Sequence, residues 1–240
     1  MATADALDLG LVVFDITGTV ITNTGAVADA FVSALRANGV QISDEELQPW
    51  RGASKRIAIR NLVTLYSPAS PSEERLEKIH GDFHSHLRHR FEAEGLQVIA
   101  GVQETFAWLR ARGVRVAFNT GFDRDLADLI LRTLQWEQGM VDAVVCGDEV
   151  SQGRPAPFMI FRAMEQVGVV NVRQVAVVGD TTLDLEAGWN AGVRHIVGVL
   201  SGAHSRERLI QAPHTNIIGS VADLPGLTEV FASVNNRLTD

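Results

Sequence analysis

The chain is poor in cysteine and has no long apolar run. A single cysteine, Cys146, among 240 residues excludes an intrachain disulfide. The longest apolar stretches, such as residues 11–14, fall far short of the ~20 residues that a membrane-spanning helix needs. The first twenty residues also lack the charged start and apolar stretch of a secretory signal peptide. We therefore expect a cytoplasmic protein with no membrane partner.

Lysine is scarce, and the charge balance is acidic. The chain has 21 Lys and Arg residues against 29 Asp and Glu, which gives a formal net charge of −8. Because binding a polyanion needs a clustered basic surface, this balance argues against nucleic acid and favours a small-molecule ligand. Only Lys55 and Lys78 are lysines, and the other basic residues are arginines. Because arginine is the usual basic residue in this chain, a lysine beside a functional motif is a candidate functional residue.

Short apolar segments alternate with helical patterns along most of the chain. The first segment, residues 9–15, contains an unbroken apolar run, which is typical of a strand buried on both faces. Further strands are predicted at 115–119, 143–146, 174–179 and 195–200, separated by helices that end at 112 and span 126–134, 158–167 and 185–191. This alternation predicts an α/β fold with a Rossmann-like parallel sheet, covered by helices on both faces.

Residues 22–98 interrupt this alternation with helical patterns alone. Ser43 to Glu46 form a predicted capping box. The string Ser70-Pro71-Ser72-Glu73 predicts a helix capped by Ser70, and Gly95 is its expected stop. We expect residues 22–98 to form an inserted all-helical cap domain over the carboxyl ends of the strands. Residues 1–21 and 99–240 would then form the α/β core domain.

Polar residues stand where several predicted strands end. Asp15 follows the first strand, Thr120 the second and Asp180 the fourth. Open parallel sheets bind ligands at the carboxyl ends of their strands, so these side chains are expected to meet. A carboxylate that leaves a buried strand is costly unless it is used or paired, and packing explains it poorly.

These residues belong to four motifs that closely resemble the signatures of the haloacid dehalogenase superfamily of hydrolases. The motifs are Asp15-x-Thr17-Gly18-Thr19, the strand ending in Thr120, Gly153-Arg154-Pro155, and Gly179-Asp180-Thr181-x-x-Asp184. The resemblance covers nearly the whole chain. It implies that Asp15 attacks phosphorus and forms an aspartyl phosphate, which water then cleaves.

A carboxylate that attacks a phosphate dianion meets charge repulsion, so such a site needs a divalent cation and fixed donors. Asp15, Asp180, Asp184 and the backbone carbonyl of Thr17 offer the hard oxygen ligands that suit Mg²⁺. Thr120 can donate its hydroxyl to a phosphoryl oxygen. Arg154 can balance the carboxylates, a task that lysine performs more often in the superfamily. Two of these residues have an alternative, purely structural interpretation. Asp184 can cap the helix that follows, and Arg154 can be a surface residue in a turn.

One departure from the first motif bears on the branch of the family. The usual second aspartate, which acts as general acid and base in phosphatases, is Thr17 here. An alkoxide leaving group gains ~100-fold or more from protonation, so a simple phosphomonoesterase mechanism is weakened. Ion-pumping ATPases share the Asp-x-Thr-Gly-Thr string, but this chain shows no membrane segments.

The phosphonatase branch, which cleaves the carbon–phosphorus bond of phosphonoacetaldehyde, also lacks that aspartate and is the better match. The matching strings are Gly52-Ala53-Ser54-Lys55, Thr120-Gly121-Phe122 and Gly153-Arg154-Pro155-Ala156-Pro157-Phe158-Met159. In that branch a cap lysine forms a Schiff base with the aldehyde, and the leaving group departs as an enamine without an acid. Lys55 fits this role, although a solvated lysine on a cap helix remains an alternative.

Three residues depart from the phosphonatase pattern. Ala58 replaces a histidine, Phe122 a tyrosine, and Arg51 a methionine. Without the first two, Lys55 stays mostly protonated unless burial or nearby arginines lower its pKa. Arg51 and Arg56 can instead recognise a second anionic group on the substrate.

The expected site can be stated in full. The catalytic residues are Asp15, Thr17, Lys55, Thr120 and Arg154, the substrate-binding residues are Arg51, Lys55, Thr120, Gly121 and Arg154, and the metal ligands are Asp15, Thr17, Asp180 and Asp184. The histidines at 80, 84, 86 and 89 suggest zinc, with Asp82 nearby, but a solvent-exposed polar helix face is favoured. Cys146 is expected to be a small buried hydrophobe rather than a reactive thiol.

The leading hypothesis is a Mg²⁺-dependent, phosphonatase-like hydrolase that cleaves a small phosphonate or phosphate ester. One alternative is a conventional small-metabolite phosphatase of the phosphoglycolate phosphatase type. Another is a weakly catalytic protein that binds a phosphate ligand and has a binding or regulatory function. A dehalogenase is disfavoured because Asp180 and Asp184 would have little purpose there. The resemblance also allows a homodimer.

Overall fold

Parallel strands form the centre of the structure, a computed structural model that describes residues 7–68, 70–136 and 139–232. The strands are β1 (Leu11–Phe14), β2 (Arg115–Thr120), β3 (Ala143–Cys146), β4 (Val175–Gly179), β5 (His195–Val199) and β6 (Asn216–Ile218). They lie in the order β3-β2-β1-β4-β5-β6, and every neighbouring pair is parallel. The α/β fold with a Rossmann-like sheet is therefore confirmed, and β1 lies at its middle.

Between β1 and β2 the chain forms helices, and we call residues 22–98 the cap segment. The helices are α1 (Ala26–Ala37), α2 (Asp44–Leu47), α3 (Lys55–Tyr66) and α4 (Glu73–Glu94), with a 3₁₀ turn at Gln48–Trp50. The aromatic rings of Phe31 on α1 and Phe83 on α4 pack with centroids 4.7 Å apart. The division of the chain at residues 21/22 and 98/99 stays a prediction.

The remaining helices cover the sheet. They are α5 (Val102–Arg110), α6 (Arg124–Thr133), α7 (Phe158–Val167), α8 (Thr182–Ala191), α9 (Arg206–Leu209) and α10 (Thr228–Phe231). Successive residues of β1 face opposite sides, so Val12 and Phe14 join one apolar cluster while Leu11 and Val13 join another. The first cluster extends into the cap segment through Phe31 and Phe83. Burial of one continuous apolar surface therefore holds the cap helices against the sheet.

Local signals placed the helices, but several boundaries differ from the prediction. Helix α8 begins at Thr182 rather than 185, α6 begins at Arg124 rather than 126, and α5 ends at Arg110 rather than 112. The Ser43–Glu46 capping box is present, because the Ser43 amide donates to Glu46 Oε2 at 2.6 Å. Helix α4 begins two residues later than predicted. Its cap is Ser72, whose Oγ accepts a hydrogen bond from the Arg75 amide at 3.2 Å, whereas Ser70 precedes Pro71. Both serines could cap a helix, and the hydrogen bond from the Arg75 amide shows that Ser72 is the one that does.

Sheet boundaries also differ slightly from the expectation. Strand β1 begins at Leu11 rather than Leu9, and β6 was not predicted. With three residues, all only partly buried, β6 has no apolar run that a sequence pattern could detect. Within the described residues, no helix is both long enough and apolar enough to cross a membrane.

Candidate active site

A cavity of about 600 Å³, partly open to solvent, lies where the cap segment covers the carboxyl ends of β1, β2 and β4. Most of the residues expected at the site line it, namely Asp15, Thr17, Arg51, Lys55, Thr120, Gly121 and Asp180. Two expected residues, Arg154 and Asp184, do not line the cavity but contact residues that do: Arg154 pairs with Asp15, and Asp184 accepts hydrogen bonds from Thr181. The structure thus brings residues that are far apart in sequence to one edge of the sheet.

Arg154 is the buried counterion of two carboxylates. Its Nη1 lies 2.7 Å from Asp15 Oδ1 and 2.8 Å from Asp184 Oδ1, and its side chain is fully buried. Its Nη2 donates to the backbone and side-chain oxygens of Asn119 at 2.6 and 2.7 Å. Burial opposes the charge of Arg154, but Asp184 and Asp15 outweigh burial and raise its pKa. A solvated arginine in a surface turn is therefore excluded.

Asp180 is held by donors from two loops. Thr19 Oγ1 donates to Asp180 Oδ1 at 3.3 Å, and the Ala203 amide donates to Oδ2 at 2.6 Å. Glycine is required beside it, because a Cβ on Gly202 would lie 2.0 Å from Asp180 Oδ2. Burial, and then repulsion from Asp15 and Asp184, raises the pKa of Asp180 well above its ordinary value.

Asp184 has the capping role that its spacing suggested. Its Oδ2 accepts hydrogen bonds from the amide and the hydroxyl of Thr181, at 3.0 and 2.6 Å. Its Oδ1 contacts Arg154, so both oxygens are engaged. Burial raises the pKa of Asp184 to about 6, and Arg154 opposes that shift. The two hydrogen bonds use both lone pairs of Oδ2, but Oδ1 keeps one beside Arg154, so capping is compatible with a role near a metal.

The donor set fits a hard divalent cation. Asp15, Asp180 and Asp184 concentrate three carboxylates in a buried region, and Arg154 alone pairs with two of them. Burial and then repulsion from Asp15 and Asp184 raise the pKa of Asp180, and a bound cation would relieve that repulsion. Within the described residues, the buried Oγ1 of Thr17 has no hydrogen-bond partner. Carboxylate and carbonyl oxygens are the ligands that Mg²⁺ prefers.

The cap segment reaches the site through the loop Gly52-Ala53-Ser54-Lys55, which we call the cap loop. The Lys55 amide donates to Gly121 O at 3.1 Å, and Arg154 Nη1 donates to Gly52 O at 3.3 Å. A Cβ on Gly52, whose φ is +85°, would lie 2.5 Å from Thr181 Oγ1. Backbone atoms of the cap loop therefore contact the core loops that follow β2 and β4.

Lys55 lies at this interface and not on a solvated helix face. The residue is 7% exposed, and its Nζ donates to Ala53 O at 3.1 Å. The Nζ also lies 4.9 Å from the ring centroid of Phe122, within the range of a cation–π contact. Burial lowers the pKa of Lys55 to about 8, although Asp15 partly opposes the shift. Its chemical role stays a prediction.

The two arginines beside Lys55 occupy different places. Arg51 lines the cavity and pairs with Asp44 at 2.5 Å. Arg56 instead forms an exposed ion pair with Glu77 and is not among the cavity-lining residues. Only Arg51 is therefore placed to meet a bound substrate.

Sequence reasoning missed two residues at the site. Asn119 accepts both hydrogen bonds of Arg154 Nη2, and Thr181 lines the cavity beside Asp180. Asn119 immediately precedes Thr120, so its position at a strand end was a detectable signal. Its role as a partner of Arg154 was not detectable, because the two residues are 35 positions apart.

The expectation that the cap histidines form a solvated face is wrong for two of them. His80 and His84 lie against Asp123, while His86 and His89 are exposed. Asp82, which seemed a candidate partner, pairs with Lys78 at 2.8 Å instead.

Cys146 is fully buried at the end of β3, and burial raises the pKa of its thiol. It is the small buried hydrophobe that was expected.

Comparisons with known proteins agree with this geometry. A family model for haloacid dehalogenase-like hydrolases matches residues 9–192. The phosphonoacetaldehyde hydrolase of Bacillus cereus (strain AH187) is 30% identical over 202 residues, which cover 80% of this chain and 76% of the relative. The relationship therefore extends over the cap segment as well as most of the sheet.

Two solved structures share the fold. A phosphonoacetaldehyde hydrolase-like protein from Oleispira antarctica superposes with a TM-score of 0.81 at 23% identity, over 96% of both chains. A predicted phosphoglycolate phosphatase from Haemophilus somnus superposes with a TM-score of 0.75 at 20% identity, over 92% of this chain and 98% of that one. With its carboxylates at the strand ends and its family match over most of the sequence, the chain belongs to the haloacid dehalogenase-like hydrolases.

Proposed function

We propose that the chain is a Mg²⁺-dependent, phosphonatase-like hydrolase that cleaves a small phosphonate or phosphate ester through an aspartyl phosphate on Asp15. The observation that carries this proposal is the position of Lys55. Its buried amine shares one cavity with Asp15 and Thr120, although it belongs to the cap segment. A small substrate can therefore meet a carboxylate and an amine together. The cytoplasmic location, the homodimer and the domain division at 22–98 belong to the same proposal.

Asp15 acts as the nucleophile. Because Arg154 holds Oδ1, we assign Oδ2 as the oxygen that attacks phosphorus. The new O–P bond forms as the bond to the leaving group breaks, and the leaving group takes the electron pair. Thr120 Oγ1 accepts from the Phe122 amide at 3.2 Å, so its own hydrogen is free to donate to a phosphoryl oxygen. Water then cleaves the aspartyl phosphate and restores Asp15.

Asp15, Asp180 and the backbone carbonyl of Thr17 would hold Mg²⁺, with Asp184 beside them. When bound, the ion neutralises charge on the phosphoryl group and on the carboxylates. Arg154 Nη1 contacts Oδ1 of Asp15 and Oδ1 of Asp184, so it neutralises part of their negative charge and holds the two carboxylates close to each other.

Lys55 makes an acid at position 17 unnecessary. Its neutral Nζ attacks the aldehyde carbon of the substrate, and water leaves as a protonated imine (iminium) forms, whose positive nitrogen can accept an electron pair. When the carbon–phosphorus bond breaks, its electron pair moves into an enamine, so Thr17 need not supply a proton. A pKa of about 8 leaves roughly a quarter of the amine neutral at pH 7.5, against roughly 0.1% for an ordinary lysine.

Arg51 is proposed to bind a second anionic group of the substrate, because this residue lines the same cavity. For a phosphomonoester that carries a second anionic group, the Arg51→Gln substitution should raise KM with little change in kcat. An unchanged KM would remove Arg51 from the substrate-binding set.

The scarcity of lysine makes a sharp experiment available. Purified protein with Mg²⁺ is given phosphonoacetaldehyde beside a panel of phosphomonoesters, and phosphate release is measured. The aldehyde reaction is also quenched with borohydride, and peptide mass mapping locates the reduced adduct. Lys55→Arg is compared with Lys78→Arg, which removes the other lysine from an exposed ion pair with Asp82.

We expect phosphate release from the aldehyde phosphonate, an adduct on Lys55, and loss of both in Lys55→Arg but not in Lys78→Arg. Release from monoesters that Lys55→Arg leaves unchanged would overturn the lysine chemistry and indicate a conventional phosphatase. Phosphate binding without release from any substrate would overturn the hydrolase proposal and indicate a binding or regulatory protein.

A further inference from the structure

Two histidines of the cap segment converge on one carboxylate of the core. His80 and His84 are four residues apart on α4, so they share a helix face, and their rings lie 4.5 Å apart. His80 Nε2 lies 3.2 Å from Asp123 Oδ2, and His84 Nε2 contacts the same oxygen. Asp123 directly follows Gly121 and Phe122 of the cavity wall. The cluster therefore joins the cap segment to the loop after β2.

Hydrogen bonding leaves this cluster incompletely satisfied. Within the described part of the chain, His80 Nε2 and Asp123 Oδ1 are buried atoms without a hydrogen-bond partner. Buried polar atoms are seldom left unpaired, because their desolvation costs free energy. Burial works to raise the pKa of Asp123, but the two imidazoles outweigh it and hold that pKa below its ordinary value. The carboxylate is thus ionised where two ring nitrogens meet.

The arrangement suits a metal ion. One ligand atom from each of His80, His84 and Asp123 can be chosen so that all lie within 4.8 Å of one another. Ligand atoms around a tetrahedral ion with bonds near 2.0–2.1 Å lie about 3.3 Å apart, so the three side chains would move closer together to bind one. A small recess lined by His80, Asp123 and Asp148 adjoins the cluster.

The chemical types of the three side chains determine which metal ion the site would prefer. Two imidazoles with one carboxylate suit Zn²⁺ and similar late first-row divalent ions, whereas Mg²⁺ prefers oxygen ligands alone. We propose that His80, His84 and Asp123 form a zinc-type site, separate from the cavity carboxylates, that fastens the cap segment to the core loop behind Phe122.

This position has a consequence for the active site. Lys55 donates its amide to Gly121 and lies over Phe122, two and one residues before Asp123. An ion bound at Asp123 therefore fixes the loop on which the Lys55 amine rests. The proposal does not depend on the reaction proposed above, since it concerns metal binding and cap attachment alone.

The test measures zinc directly. Protein stripped with a chelator is given one equivalent of Zn²⁺ in excess Mg²⁺, desalted and analysed for bound metal, and its zinc X-ray absorption spectrum is recorded. Affinity is measured by competition with a chromophoric chelator. His84→Ala removes a ligand, and His86→Ala is the matched control, because His86 is exposed on the same helix.

We expect about one zinc per chain, an absorption spectrum with two imidazole ligands, and affinity lowered by about tenfold or more in His84→Ala but unchanged in His86→Ala. A spectrum showing only oxygen ligands would overturn the proposal, since it would place zinc among the cavity carboxylates. Failure of the wild-type protein to retain zinc would overturn it as well. The wild-type spectrum decides even if His84→Ala does not fold.

Discussion

The Lys55 amine is surrounded by apolar rings and backbone, and this environment determines its protonation. Because burial lowers its pKa to about 8, the neutral fraction grows about tenfold per pH unit below pH 8 and saturates above it. We expect kcat/KM for phosphonoacetaldehyde to rise with this slope and level off near pH 8. Measured initial rates from pH 6 to 10 check this. The control variant Lys78→Arg should show the same pH profile. A rate that still rises at pH 10 would contradict the lowered pKa of Lys55.

At the same scale, the buried Arg154 balances the charges of two carboxylates. Replacing it with methionine leaves Asp15 and Asp184 without their shared partner, so we expect loss of activity and destabilisation by about 3–5 kcal/mol. Urea unfolding measures the change. The control is Arg162→Met, which breaks an exposed pair with Glu165 and should cost about 1 kcal/mol or less. Equal effects of the two substitutions would refute the buried-counterion role.

At the scale of elements, the cap loop and the loop after β2 approach each other through backbone atoms. A Cβ on Gly121 would lie 2.3 Å from Ala53 O, so Gly121→Ala must push the cap loop away from the core. We expect kcat/KM to fall about 10- to 100-fold, because misplacing Lys55 by about 1 Å disturbs the reacting geometry. Steady-state kinetics measures this effect.

A matched control is available within the cap segment. Gly81 lies inside α4 with open space around its Cβ position, so Gly81→Ala should leave kcat/KM unchanged and stabilise the helix by about 1 kcal/mol. Full activity of Gly121→Ala would mean that the two loops separate without consequence.

The elements also show how far sequence reasoning reaches. Strand β3 and helix α7 were predicted to the residue, because an apolar run and a proline-led helix start mark them locally. The short, half-exposed β6 gives no such signal. At the site, motifs at strand ends located the carboxylates. The pairing of His80 with Asp123 escaped prediction, because it depends on how the cap segment lies over the core.

For the molecule as a whole, we expect the cap segment to open and close over the site. The Lys55 amide donates to Gly121 O across the interface, so its exchange with solvent requires the two sides to separate. Adding Mg²⁺ with inorganic phosphate should slow hydrogen exchange about tenfold in peptides covering 50–56, because the ligand binds the closed form. Mass spectrometry measures this, with α7 as the internal control. Unchanged exchange at 50–56 would show that closure is independent of ligand.

Because the cap loop contacts the core through backbone atoms, closure of the site and choice of substrate depend on different parts of the chain. The Gly52 carbonyl and the Lys55 amide secure the approach of the cap loop, while the side chains of Phe31 and Trp50 line the cavity without taking part in those hydrogen bonds. Changes at such lining positions can therefore alter which molecule is accepted while the enclosure itself is preserved. Substrate preference can therefore change during evolution without loss of the closed site, and the side chains that line the cavity are the positions to redesign it.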